Sequence, residues 1–301
     1  MARRIIDSHA HLGDIFHENR NISFKTNVRK GDYEDRFIEL EESLFTKPLF
    51  TGDPRDLQLV IDGGQFRCWE ATLENTSRQL DECDMAGIVL LPVLPNTTFE
   101  EYLAASKLDP RIIPFTAADM TLSIDEMQEK LYRDIGRGAK GLKLHPILQN
   151  VRLLDDRMHA AADVFARADL PVVVHIGEGT YYSADKTYPV NSKFGAMSDF
   201  FEFAKNRNNQ VLIAAHCAAF AQPLMEGCKG IDNVYADTSF CSVAAAREAV
   251  KIMGAERVLY GTDYPFVNEK FCIEVIERAF ENDPVTKDKV FYANIAKLIH
   301  L

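Results

Sequence analysis

The chain has 301 residues, 47% of them hydrophobic, and carries 34 Lys and Arg against 45 Asp and Glu, a formal net charge of −11. That length and apolar content suffice for one large core, and a single α/β barrel absorbs such a chain. The acidic balance argues against nucleic acid or an anionic membrane surface as a partner, yet permits a locally positive pocket for a small-molecule substrate. The first strand is expected over residues 4–9, where Ile5-Ile6-Asp7-Ser8-His9-Ala10-His11 ends an apolar run in two histidines. Further apolar runs follow at 87–91, 112–116, 141–144, 172–175, 211–214, 234–237 and 257–260. Helix-sized segments separate them, which predicts βα units, a parallel sheet and a (β/α)₈ TIM barrel spanning 1–301 as one domain.

Helix punctuation agrees with that count. Ser123-Ile124-Asp125-Glu126 has capping-box spacing. Asp283-Pro284 opens a last helix whose apolar stripe is Val290, Phe291, Ile295, Leu298 and Ile299. Residues 12–68 break the rhythm: they are charged and contain Gly31-Asp32, Gly52-Asp53-Pro54 and Gly63-Gly64. They read as a long insertion after the first strand, and the position predicts a lid at the catalytic end of the barrel.

Cys68, Cys83, Cys217, Cys228, Cys241 and Cys272 have no CxxC spacing and read as reduced thiols. Met1-Ala2-Arg3-Arg4 runs straight into a strand without a signal-peptide pattern. No apolar run approaches the ~20 residues that cross a bilayer. The expectation is a soluble cytoplasmic protein; association into homo-oligomers is open.

The polar residues at the carboxyl ends of the expected strands form a set. They are His9 and His11, Lys143 and His145, His175, His216, and Asp263. Residues two apart on a strand share a face, and barrel active sites sit at strand carboxyl ends, so all seven can reach one cavity. Histidine and carboxylate are ligands for a borderline divalent ion. Asp263 follows Gly261 at matching parity, and the small residue beneath it leaves room for an interior ion. Glu178 and Tyr181, on the loop after His175, are candidate substrate contacts, with Tyr182 a second wall residue. His17, His159 and His300 read as structural or solvated.

Five ordered motifs resemble the amidohydrolase superfamily, in its amidohydrolase-related branch, which includes aminocarboxymuconate-semialdehyde decarboxylase. They are Asp7-Ser8-His9-Ala10-His11, Gly141-Leu142-Lys143-Leu144-His145-Pro146, Leu170-Pro171-Val172-Val173-Val174-His175, Ala215-His216-Cys217 and Tyr260-Gly261-Thr262-Asp263-Tyr264-Pro265-Phe266. The resemblance implies one divalent ion, zinc in first place and manganese as the alternative, held by His9, His11, His175 and Asp263. A second metal, bridged by a carboxylated Lys143, is not expected. Lys143 and His145 would instead hold an anionic group. His216 would bond the water or substrate, and Asp263 would serve as general base and acid.

The expected reaction is hydrolysis of an amide, lactone or ester bond in a small molecule. Non-oxidative decarboxylation of a small carboxylic acid is the first alternative; Lys143, Arg67 and Arg152 are the cations it could use. A non-catalytic binding barrel with a structural metal is the second.

Overall fold

The computed structural model describes residues 3–17, 34–182 and 188–301, so the Gly31-Asp32 turn expected in the insertion and Ser183 of the Glu178 loop lie outside the described residues. The strands are β1 (Arg3–Ala10), β2 (Met85–Leu90), β3 (Ile112–Pro114), β4 (Thr116–Ala117), β5 (Leu142–Leu144), β6 (Val172–Val174), β7 (Leu212–Ala214), β8 (Val234–Asp237) and β9 (Val258–Leu259). Every pairing between neighbours is parallel.

The strand expected at 112–116 is split into β3 and β4 because it changes partner midway. Phe115 donates its amide to Leu90 of β2 (3.0 Å), and Thr116 donates to Gly141 at the foot of β5 (2.9 Å). Counted as one broken strand, β3 and β4 leave eight strand positions. The two ends of the series meet: Ser8 donates to Tyr260 O (2.9 Å), Asp263 to His9 O (2.8 Å) and His11 to Tyr264 O (2.7 Å). This seam brings the first and last predicted ligand segments side by side.

Alternation along the strands divides the core in two. Ile6, Val89, Phe115, Val173, Ile213 and Leu259 point inward and form a plug with Ile295, Leu298 and Ile299 from the C-terminal segment. The opposite parity, with Ile88, Leu142, Val172, Leu212 and Val258, packs outward against the helices. The stripe predicted for one final helix is shared between both layers. A π-helical turn over Lys289–Ala293 interrupts the helix, so Val290 and Phe291 join the outer layer while the following residues enter the barrel. The Ser123 capping box is present with both of its reciprocal bonds.

The insertion contains two helices, Arg36–Glu42 and Asp56–Glu70. A buried cluster fixes them to the barrel. Arg67 donates to both oxygens of Glu41 (2.8 and 3.0 Å), to Asp35 (3.0 Å) and to Phe266 O (2.9 Å), and Glu41 also accepts from Asn268 N (2.6 Å). The inserted helices are therefore clamped to the loop that carries Asp263. Arg67 is consumed by this cluster, and Arg152 by Asp199 on the outside (2.7 Å), so neither is a cation at the site; of the three considered, only Lys143 reaches it. No described helix is long and apolar enough to cross a membrane. None of the six cysteines forms a disulfide.

Candidate metal centre

Local backbone departures aim the predicted residues. In β1, strict alternation from inward-facing Ile6 would turn His9 and His11 toward the helices. A register shift between Asp7 and Ala10 reverses the parity: Ala10 packs outward and both histidines point in. Such a bulge re-aims side chains beside active sites. After β7, Ala215 occupies the inward position, and His216 reaches the cavity because its backbone is left-handed (φ 63°). Asp263 shares that conformation (φ 67°). Both side chains are thereby turned toward the cavity from a conformation uncommon for non-glycine residues. Gly261 lies below them: a Cβ would come within 2.8 Å of Asp237 Cβ and 3.2 Å of His9 Cβ, so only glycine fits without displacing both.

The nitrogen and oxygen atoms converge as a ligand set. Asp263 Oδ1 is 3.3 Å from His9 Nε2 and 3.2 Å from His11 Nε2. Offered ligand atoms of His9, His11 and Asp263 all lie within 4.8 Å of one another. The hydrogen-bond network assigns the tautomers. His11 Nδ1 faces Leu91 O at 2.7 Å and must donate; His9 Nδ1 faces the Asp237 carboxylate at 2.9 Å and donates to it. Both Nε2 lone pairs are thereby turned to the same point, the arrangement in which an outer partner orients a metal-binding imidazole. Two imidazole nitrogens and a carboxylate oxygen converging on one point are a donor set that fits a divalent ion.

His175 stands at the edge of this triad. Its Nδ1 meets His216 Nε2 at 3.2 Å, and its Nε2 lies 2.9 Å from Tyr181 Oη and 3.2 Å from Gly177 O. The His145 ring stacks on it with centroids 4.0 Å apart. Lys143 Nζ is 3.2 Å from His9 Nε2 and buried. Burial, reinforced by Lys143 and neighbouring imidazoles, pushes His9, His145, His175 and His216 below the usual histidine range, so these rings are neutral. Burial also lowers Lys143 to about 8, against the pull of Asp263 and Asp237, and raises Asp263.

Asp237 and Ser239 complete the centre and were not singled out by the strand-end reading. Asp237 Oδ2 accepts from His9; its Oδ1 accepts from the amides of His216 and Ser239 (both 3.1 Å) and from Ser239 Oγ. With its proton committed to Asp237, Ser239 Oγ accepts from His216 Nδ1 at 2.8 Å. His216 therefore presents a lone pair at Nε2. It serves as an acceptor or ligand there, and donates to an oxyanion only after gaining a proton. A signal for Asp237 exists in the sequence: it closes the run Val234-Tyr235-Ala236-Asp237 just as Asp263 closes its own.

Behind the ligands, Asp7 faces outward. Its Oδ1 accepts from His9 N (2.8 Å) and Thr262 N (3.1 Å), and its Oδ2 from Thr262 Oγ1 (2.5 Å), tying the two ligand segments across the seam. It shares its burial with Glu269, which accepts from Tyr260 Oη at 2.7 Å. Burial raises both carboxyls, Glu269 to about 7. A carboxyl raised on folding binds more protons in the native state. Its contribution is full below the ordinary value of 4.5 and is lost as pH rises to about 7. Urea unfolding across this range should show Glu269→Gln flattening the fall in stability by about 1.4 kcal/mol per pH unit. Identical slopes for both proteins would refute the shared burial.

Two cavities adjoin the centre. A small one of about 50 Å³ is bounded by His9, His11, Lys143, His145, His175 and Asp263, among others. It opens beneath a larger cavity of about 330 Å³ that shares His175, His216, Asp263 and Tyr181. Phe37, Leu49, Phe50, Val60 and Ile61 of the insertion line the larger one. Glu178 sits at the rim, half exposed and paired with Lys193 at 2.7 Å. His17, His159 and His300 lie outside the centre, bonded to Asp14, Arg207 and Asp169 O.

Comparison with known proteins places this architecture. A search of curated proteins found no match. Among solved structures, an uncharacterized TIM-barrel protein from Bordetella bronchiseptica superposes with TM-score 0.69 at 15% identity, covering 98% of each chain. A probable 2-pyrone-4,6-dicarboxylic acid hydrolase from Acinetobacter baumannii, solved with citric acid bound, gives 0.61 at 13% identity over 99% of this chain and 100% of the other. A 5-carboxyvanillate decarboxylase from Novosphingobium aromaticivorans, solved with manganese and 3-methoxy-4-hydroxy-5-nitrobenzoic acid, gives 0.63 at 13% identity over 99% and 97%. At these identities the likeness is one of fold. The amidohydrolase family model matches residues 6–301, and the chain belongs to that family.

Proposed function

We propose that the protein is a metal-dependent hydrolase of an acyl bond (ester, lactone or amide) in a small molecule. His9 Nε2, His11 Nε2 and Asp263 would hold one divalent ion, with His175 at the edge of the set. When bound, such an ion supplies Lewis-acid polarisation of a carbonyl and acidifies water. The observation that carries the reading is the protonation pattern. His216 Nε2, which faces His175 Nδ1 at 3.2 Å, and the Asp263 carboxylate, whose Oδ2 lies 4.0 Å from His216 Nδ1, are both acceptors in the resting protein. Hydrolysis needs such acceptors to take a proton from water; Asp263, raised by burial, is suited to return it to the leaving group. Lys143, still cationic at neutral pH, faces the same point and would stabilise a developing negative oxygen. Aromatic side chains wall the cavity above.

Decarboxylation remains a second reading because the larger cavity is apolar and aromatic, an environment that favours a carboxylate leaving as neutral carbon dioxide. The proton for the carbanion would come from Lys143, the cationic group at the cavity floor. A structural ion alone is disfavoured by the open cavity over the ligands. The test is chelation followed by readdition of zinc or manganese, with esters, lactones, amides and carboxylic acids as substrates. Activity should vanish and return with the ion, and the product should be a hydrolysed acid. Full activity without an ion, or release of carbon dioxide only, would reject the proposal.

A further inference from the structure

We infer, resting on the metal-dependent reading above, that the larger cavity takes an aromatic acyl group, and that Gly64 and Phe50 of the insertion set its size. The walls are rings: Phe16 stacks on Tyr181 with centroids 5.6 Å apart and meets Phe266 at the same distance, with Phe37, Phe50 and Phe240 completing the enclosure. Among the described residues no arginine lines either cavity, and the one lysine is Lys143 at the floor. Among the described residues the upper space thus offers no free counter-charge to an anionic tail, and at the rim Glu178 is paired with Lys193. Its 330 Å³ is at the small end of ligand cavities, matching one or two fused rings above a metal-binding head.

Gly64 supplies the second observation. It lies inside the helix Asp56–Glu70, where glycine is disfavoured. Its position faces the rings: a Cβ would sit 3.4 Å from Phe266 Cε1 and 3.9 Å from Phe16 Cε2, and anything longer would enter the cavity. The glycine keeps open a space that a better helix former would fill. Phe50, more than half exposed at the lip, covers the same space from the other side.

The experiment is binding of hydroxamates to the zinc-loaded protein by calorimetry, comparing acetohydroxamate with benzohydroxamate. Both share the metal-binding head and differ in the ring. Benzohydroxamate should bind at least about tenfold tighter, from burial of its ring. Gly64→Leu should abolish that preference while leaving acetohydroxamate unchanged; Phe50→Ala, at an exposed position that does not threaten folding, should reduce it severalfold. Equal affinity for the two compounds, or no binding of either, overturns the assignment. Tight benzohydroxamate binding without hydrolysis of any aryl ester would support the cavity assignment and count against the hydrolytic reading alone.

Discussion

Asp263→Asn is expected to lower kcat/KM about 1,000-fold, within the range for loss of a positioned general acid–base. It should do so without destabilising the metal-free protein. Asp263 is buried, its carboxyl is raised by that burial, and its Oδ1 faces the Nε2 lone pairs of His9 and His11. A neutral amide removes a desolvated charge and can donate to one of those lone pairs, so unfolding of the apo variant should occur at equal or higher urea concentration. Steady-state kinetics with saturating ion and urea titration of the apo form check the two halves separately. Retained activity would remove Asp263 from the chemistry. Activity lost together with apo stability would mean that its role is structural.

What could be read from the chain follows from which physical signals are local. Apolar runs of four to six residues are local, and they located every strand; the one divided strand was split by a change of partner at Phe115, a non-local event. The candidate ligand residues that the structure brings together were equally legible, because a polar side chain closing an apolar run is unusual wherever it occurs. Their orientation was not. The β1 bulge depends on pairing with β2, and the left-handed backbone of His216 is not announced by its neighbours in the chain; neither has a motif. Arg67 looked available because its partners, Glu41 and Asp35, lie 26 and 32 residues away and meet it only once the insertion folds. The π-turn that shares the last apolar stripe between two layers likewise has no signal in the stripe itself.

Asp237→Asn should act in the opposite direction on stability. Asp237 is buried and accepts on both oxygens: Oδ2 from His9 Nδ1, and Oδ1 from two backbone amides and the Ser239 hydroxyl. An asparagine has one acceptor oxygen. Placed toward His9, it sets its NH₂ against the amides of His216 and Ser239; flipped, it sets the NH₂ against the His9 proton. Either rotamer leaves buried donors unpaired, at a cost of about 1–3 kcal/mol each. In the flipped rotamer His9 also loses the partner that directs its Nε2 inward, so affinity for zinc or manganese should fall about 10–100-fold, the usual effect of removing a group that orients a ligand. Competition with a chromogenic chelator measures the affinity, and urea unfolding of the apo protein measures the stability. If the Asp237 variant bound the ion with unchanged affinity, His9 would not owe its orientation to this carboxylate, and the tautomer assignment on which the centre is built would fail with it. The pair of variants thus separates two buried aspartates only a few ångströms from the same histidine: Asp263, proposed to act in the chemistry, and Asp237, which accepts the His9 proton and orients that ring.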